Sequence, residues 1–247
     1  MVKAMERPES LENRWDILYK DYPEVYDEFA MIYRKPTTAE VLHKMFNLKD
    51  RVVLDVGSGT GASTFGVAAY AKHVIGIEPE DAMLGIAMKK LEGKPNSNVE
   101  FIKGKAEGIP LRDGTVDGVI ADTAGPGPEP DAIRTFITDA IRVIRKNGFF
   151  ATIVLPPKGW YGGELRRVIV DRPELPTADE REIPLHRTYR KDLGFEHKDF
   201  YQIQEYGSVE KIVAVYGFIF GRETIDYLRK HNKTSIKWKF RIYYRKV

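Results

Sequence analysis

Short apolar runs, each closed by glycine or an acid, alternate along this chain with longer stretches whose apolar residues recur three and four apart. The short runs read as strands buried on both faces, and the longer stretches as amphipathic helices. Strands are predicted over 52–56, 73–78, 98–103, 116–121 and 149–155. Helices are predicted over 36–47 with Thr37 or Thr38 as N-cap, over 62–71, from Asp81 through Met83 and Ala87, and over 131–146. In the last of these, Ile133, Phe136, Ile137, Ala140, Ile141 and Ile144 form one stripe, Arg142, Arg145 and Lys146 fill the final turn, and Gly148 stops it. Strand and helix in strict alternation argue for a parallel sheet.

The two ends of the chain read differently. Within 1–35, Trp15, Leu18, Tyr22, Val25, Tyr26, Phe29, Ile32 and Tyr33 keep helical spacing, and Pro23 divides the run into two helices. Regularity is lost over 156–191, where a short helix near 161–170 gives way to a proline-containing, charged stretch. A sixth strand is expected over 195–206, then a helix from Val209 towards Leu228 with a kink at Gly221. The chain closes on alternation. Ile236, Trp238, Phe240, Ile242 and Tyr244 share one face, and Lys237, Lys239, Arg241 and Arg245 the other, as a half-solvated antiparallel strand requires.

Composition narrows the chemistry. The 247 residues are 43% hydrophobic and 30% charged, the pattern of a soluble globular protein, and the net charge of +3 is too slight to imply nucleic acid. With no cysteine, disulfides, thiolate metal sites and a cysteine nucleophile are excluded. The five histidines lack metal-ligand spacing, so no metal is expected. Residues 1–12 have no apolar centre for a secretory signal, and no run is long enough to span a membrane, so a cytoplasmic place is expected. Glutamine occurs only at Gln202 and Gln204 beside abundant lysine, arginine and glutamate, a balance that points to a thermophilic source.

The densest chemistry lies where the first buried strand ends. Asp55 stands inside that strand, and Gly57, Gly59 and Gly61 follow at alternate positions. Glycine is needed where φ is positive, or where a ligand touches the main chain with no Cβ between. The next helix aims its first amides at this turn, which favours an anionic group such as a carboxylate. Two cofactors can use such a turn. Gly57, Gly59 and Ala62 satisfy the dinucleotide pattern G-x-G-x-x-G/A. Asp55, Gly57, Gly59 and Gly61 also stand at the positions of D/E-x-G-x-G-x-G, and through that motif the chain resembles the class I S-adenosylmethionine-dependent methyltransferases. Glu78, at the end of the second strand, can accept from two ribose hydroxyls, which either cofactor would use. The stretch Gly104-Lys105-Ala106-Glu107-Gly108-Ile109-Pro110-Leu111 resembles that family's adenine-binding turn, G-D-A-E-x-L-P-F, and departs from it at Lys105, which cannot accept from an adenine amino group.

The resemblance is to the small-molecule, ubiquinone/menaquinone-methyltransferase-like branch, and covers roughly 33–155 by motif. It implies a Rossmann-like, doubly wound α/β fold: a seven-stranded, mostly parallel sheet with an antiparallel last strand and helices on both faces. It implies a single methyltransferase domain over 1–247, with a helical cap (1–36), a cofactor-binding core (37–155), a lid-like insertion (156–191) and C-terminal strands and helix (192–247). It places Asp55, Gly57, Ser58, Gly59, Gly61, Glu78, Pro79, Met83, Ala106, Glu107 and Asp122 at S-adenosylmethionine, whose product form is S-adenosylhomocysteine. Asp122 lies at the crevice between the first and fourth strands of the core, where it can face the methionine amine or act as a base. Tyr26 and Tyr33 in the cap, and Trp160, Tyr161, His186 and Arg187 in the lid, are candidates for contact with a small-molecule acceptor. The N-D-P-P-Y/F signature of amino-group methyltransferases is absent. An NAD(P)-dependent oxidoreductase would share the turn and Glu78 but not the cap. An RNA methyltransferase would need a coherent basic surface, and a non-catalytic subunit would bind cofactor without turnover.

Overall fold

In the computed structural model, residues 15–95, 97–127, 129–156 and 184–247 are described. Eight strands make one mixed sheet: β1 (Tyr33–Lys35), β2 (Val52–Val56), β3 (His73–Glu78), β4 (Val99–Lys103), β5 (Val116–Asp122), β6 (Ile144–Val154), β7 (Glu196–Glu205) and β8 (Ser235–Lys246). Their order is β1-β7-β8-β6-β5-β2-β3-β4. Strands β2 to β6 pair in parallel, β8 lies antiparallel between β6 and β7, and β1 pairs antiparallel with the far edge of β7. The order reverses between β2 and β5, so the crevice of a doubly wound sheet opens above the ends of those two strands.

The central strands read as continuous apolar runs because both of their faces are covered. Val53, Val74 and Ile120 pack beneath the helices α3 (Thr38–Phe46) and α4 (Ala62–Ala68), with α1 (Trp15–Asp21) and α2 (Pro23–Met31) on the same side. Leu54, Ile77, Val119 and Phe150 pack on the other side against α6 (Pro130–Val143). Helix α5 (Asp81–Glu92) closes Phe101 and Val99 at the β4 edge. Of the two N-cap candidates of α3 it is Thr37 that caps, in a capping box with Glu40 N donating to Thr37 Oγ1 at 3.1 Å and Thr37 N donating to Glu40 Oε2 at 2.7 Å. Pro23 is the first residue of α2 and separates it from α1.

Several boundaries differ from expectation. The aromatic stripe carries helix only to Met31, and Tyr33 lies in a three-residue strand, the eighth of the sheet, not in a helix. Lys35 precedes Pro36, a position that disfavours helix, and the free edge of β7 pairs with Tyr33, Arg34 and Lys35. Helix α6 stops at Val143, not at Lys146. Between the pairs Val116↔Ile144 and Gly118↔Phe149, residues 145–148 loop out of the ladder. A Cβ on Gly148 would stand 2.6 Å from the Asp117 carbonyl oxygen and 2.3 Å from Ile144, so close chain approach, not helix capping, explains that glycine. Gly221, at φ 92° and ψ −172°, breaks the C-terminal helix in two: α7 (Val209–Ile212, π-helical Val213–Gly217 and Phe218–Phe220) and α8 (Arg222–Lys230).

Candidate functional site

The turn after β2 is shaped by three glycines with left-handed backbone: Gly57 (φ 72°), Gly59 (φ 56°) and Gly61 (φ 90°). Its amides are tied to the neighbouring strand, since Gly57 N and Ser58 N both donate to the Ile77 carbonyl, at 2.9 and 3.0 Å. Glu78, at the end of β3, reaches back across it. Its Oε2 accepts from Gly59 N at 2.8 Å and its Oε1 from Glu80 N at 3.0 Å, which fixes the carboxylate over the turn with a lone pair to spare on each oxygen. Burial raises the Glu78 pKa, and those two amides pull it back.

Beneath the turn, Asp55 is fully buried. Its Oδ2 accepts from Ser63 Oγ at 2.5 Å and from Thr64 Oγ1 at 2.6 Å. Its Oδ1 is buried without a partner among the described residues, as are Ser58 Oγ and Thr60 Oγ1. Burial pushes the Asp55 carboxyl up to about 6 against the two hydroxyl donors. Unpartnered polar atoms gathered at a glycine turn fit a polar ligand, because leaving such groups dry and unpaired is costly.

Met83 lies buried beside the same turn. A Cβ on Gly59 would meet its Cε at 3.4 Å and the Tyr26 ring at 3.5 Å. Pro79 is exposed beyond Glu78. Ala106 is half-buried and Glu107 exposed on the loop after β4, and Lys105 points to solvent. That loop is braced by α6: Arg142 donates to the carbonyls of Ile109 and Leu111 at 2.9 and 2.8 Å, and Asp139 accepts from Ile109 N.

A cavity of about 600 Å³ opens from the turn. It is lined by Gly57, Ser58, Thr60 and Ser63 and by the rings of Trp15, Tyr19, Tyr26, Phe29, Trp238 and Phe240, with Tyr26 beside Gly59 of the turn. The cap is held over it by the ion pair between Lys90 of α5 and Asp27 of α2, and Lys90 Nζ also donates to the Thr60 carbonyl at 2.9 Å. Tyr26 and Tyr19 meet edge to face at 5.0 Å. Burial, with Glu78 adding to it, raises the Tyr19 hydroxyl to about 12, and burial raises Tyr26 further. Both tyrosines stay neutral donors at ordinary pH. Asp122, at the end of β5, faces the cavity. Burial raises its carboxyl above the ordinary range, while the Arg34 guanidinium and the Thr38 hydroxyl lower it.

Sequence reasoning missed Arg34, Gln204, Trp238 and Phe240, which line the same cavity. Trp238 Nε1 donates to Tyr216 Oη at 2.8 Å, and Tyr216 Oη donates to Gln204 Oε1 at 2.5 Å, a chain that holds the Gln204 amide in place. Other expected residues are not gathered here. His186 contacts Tyr243, whose side chain leaves β8 on the face opposite Trp238 and Phe240, so the sheet separates it from the cavity. Arg187 is exposed near that same face. Tyr33 occupies β1, and Trp160 and Tyr161 lie outside the described residues. Among the described residues no cluster of metal-ligating side chains occurs, and no helix is long and apolar enough to cross a membrane.

The sequence matches a family described as "Methyltransferase domain" over residues 53–148, from the first buried strand to the loop before Phe149. It is 31% identical over 113 residues to a demethylmenaquinone methyltransferase of Lactococcus lactis, covering 44% of each chain. It is 27% identical over 183 residues to an O-methyltransferase of Aspergillus nomiae, covering 72% of this chain and 80% of that one. Against three of the curated relatives that it matches, the chain spans between 25% and 44% of their length. A solved structure of a SAM-dependent methyltransferase from Aquifex aeolicus superposes with a TM-score of 0.51 over 91% of this chain and 98% of that one; at 19% identity the likeness is one of fold. Residues 53–148 match a methyltransferase domain, and motif, sheet order and relatives agree in their likeness to the class I S-adenosylmethionine-dependent methyltransferases.

Proposed function

We propose that this chain transfers a methyl group from S-adenosylmethionine to an O, N or C atom of a small-molecule acceptor. In this reading 1–247 is one methyltransferase domain working in the cytoplasm, with 1–36 as cap, 37–155 as cofactor core and 192–247 completing the sheet; of the lid expected over 156–191, His186 and Arg187 lie on the face away from the cavity, and 157–183 lie outside the described residues. The observation that carries it is the single cavity running from the glycine turn to an aromatic chamber beneath α1 and α2. A donor held at one end and an acceptor at the other would meet inside one enclosed space, away from bulk water. The acceptors named for two relatives, demethylmenaquinone and protein arginine, differ, so the cavity is the better guide to this chain's substrate.

When bound, S-adenosylmethionine supplies a methyl carbon already made electrophilic by its sulfonium. The chain's residues hold and align. The turn over Gly57–Gly61 lets main chain approach the ligand closely, and Glu78 accepts from vicinal hydroxyls while Gly59 N and Glu80 N keep it oriented. Ser58 and Thr60, which line the cavity, offer their unpartnered hydroxyls to the polar end, and Asp55 beneath them braces the turn through Ser63 and Thr64. Tyr26 closes the roof. Asp122 accepts the proton that an alcohol or amine acceptor sheds as it attacks, and its raised pKa suits that exchange.

Calorimetric titration of the full chain with S-adenosylmethionine, S-adenosylhomocysteine and NAD(H), repeated on Glu78→Ala, tests the reading. Micromolar binding of the first two alone, lost in Glu78→Ala, is expected. Binding of NAD(H) instead would make this an oxidoreductase, and binding of none would reduce the turn to scaffold.

A further inference from the structure

The cavity carries a cation to which the cofactor reading gives no role. Arg34 sits at the centre of β1, paired with Gln204 of β7, and its side chain lines the cavity. Its Nη2 donates to the Phe29 carbonyl at 3.0 Å, while its Nε is buried and has no partner among the described residues. The Asp122 carboxylate faces the Arg34 charge across the cavity, but a buried guanidinium N–H without an acceptor is still costly, and Nε has none among the described residues. Among the described lining residues Arg34 is the one cation and Asp122 the one anion.

A second donor stands beside it. Gln204 is 1% exposed and lines the cavity, and its carbonyl oxygen is already taken by Tyr216 Oη, so only its amide N–H groups remain for a ligand. Two elements joined in one β-ladder thus present donors, one charged, into a chamber walled by rings and by aliphatic side chains such as Ile32, Leu42 and Leu155. Trp15 and Phe29 lie 5.9 Å apart, centroid to centroid, on the cap side, and Trp238 and Phe240 form the floor.

Resting on the methyltransferase reading above, we propose that the acceptor is a flat, unsaturated carboxylate: its ring system lies among the aromatic walls and its carboxylate is received by Arg34 and Gln204. The planar guanidinium matches a carboxylate edge-on, and pairing there satisfies the buried Nε at the same time. The flat body follows from the walls, since stacked and edge-to-face rings favour a planar partner. Fixing the carboxylate at Arg34 turns the rest of the acceptor towards Asp122 and the glycine turn, which selects the atom to be methylated.

The probes are 1-naphthoate and its uncharged isostere 1-naphthamide, titrated into the full chain with S-adenosylhomocysteine present and followed by calorimetry. Naphthoate is expected to bind the native chain at least tenfold more tightly than the amide. In Arg34→Gln that preference disappears, while Arg34→Lys retains part of it. S-adenosylhomocysteine affinity, measured on the same variants without naphthoate, stays within threefold of native and reports that they are folded. Equal binding of the two probes, binding of neither, or a preference that survives Arg34→Gln would overturn the proposal. Failure of S-adenosylhomocysteine to bind the native chain would instead overturn the methyltransferase reading, and the naphthoate comparison would still stand alone.

Discussion

The three glycines of the turn serve different ends, and alanine at each separates folding from ligand binding. A Cβ on Gly57 would stand 2.4 Å from the Ala124 Cβ, on backbone at φ 72°. The left-handed conformation costs a non-glycine residue about 1–2 kcal/mol, and forcing apart the turn and the loop after β5 adds about 1–3 kcal/mol. Gly57→Ala should therefore lose about 2–5 kcal/mol, a Tm fall of roughly 4–20 °C for a chain of this size. Gly59 has the same backbone constraint, at φ 56°, but an added Cβ meets only the mobile ends of Met83 and Tyr26, at 3.4 and 3.5 Å. Gly59→Ala should cost only the conformational part, about 1–2 kcal/mol and roughly 2–8 °C.

In binding the order reverses in interest. The new methyl of Gly59→Ala stands where a ligand would touch main chain, so S-adenosylhomocysteine affinity should fall at least tenfold in a protein that remains folded, about 1.4 kcal/mol or more. Differential scanning calorimetry and isothermal titration on the two variants supply both numbers. A Gly59→Ala protein that binds like the native chain, or that melts below Gly57→Ala, would refute this division of roles.

Asp55 is held up to about 6 by burial, against an ordinary 3.8. Its folded pKa is the higher one, so stability should decline as pH rises from about 4 to 6, by up to about 3 kcal/mol for this group. Asp55→Asn, which keeps an acceptor for Ser63 and Thr64, should flatten that dependence in denaturant titrations across the same range. Asp122→Asn should lower kcat on an oxygen or nitrogen acceptor by about 10²-fold or more, with kcat measured at saturating S-adenosylmethionine so that any contact to the methionine amine does not enter it. In the native chain the acid limb of kcat/KM should lie above the ordinary aspartate range, with activity lost as pH falls through it. Asp117 accepts from Val52 N at 2.7 Å and from Arg145 at 3.1 Å, so Asp117→Ala should cost about 1–3 kcal/mol in urea unfolding without altering cofactor affinity.

What the sequence made legible is what lies close in the chain or follows from parallel pairing. Asp55 to Gly61 is one continuous strand-to-turn segment. Glu78 could be placed beside it because successive βα units bring their strand ends side by side, and the ladder from Val52↔His73 to Val56↔Ile77 does so. Arg34 and Gln204 meet across 170 residues, 204 less 34, through a strand of three residues. No periodicity can show in three positions, and the helical spacing of Phe29, Ile32 and Tyr33 continued over them. The misplacement of His186 has a related cause. Alternation along β8 was readable, but which face Tyr243 presented to the preceding segment depended on the partner of that face, and α6 was on it. The glycine-turn lining of the cavity is thus written in local sequence and falls within the matched 53–148. The rest of the lining comes largely from the cap, β1, β7 and β8, elements outside that match, and has to be read from structure.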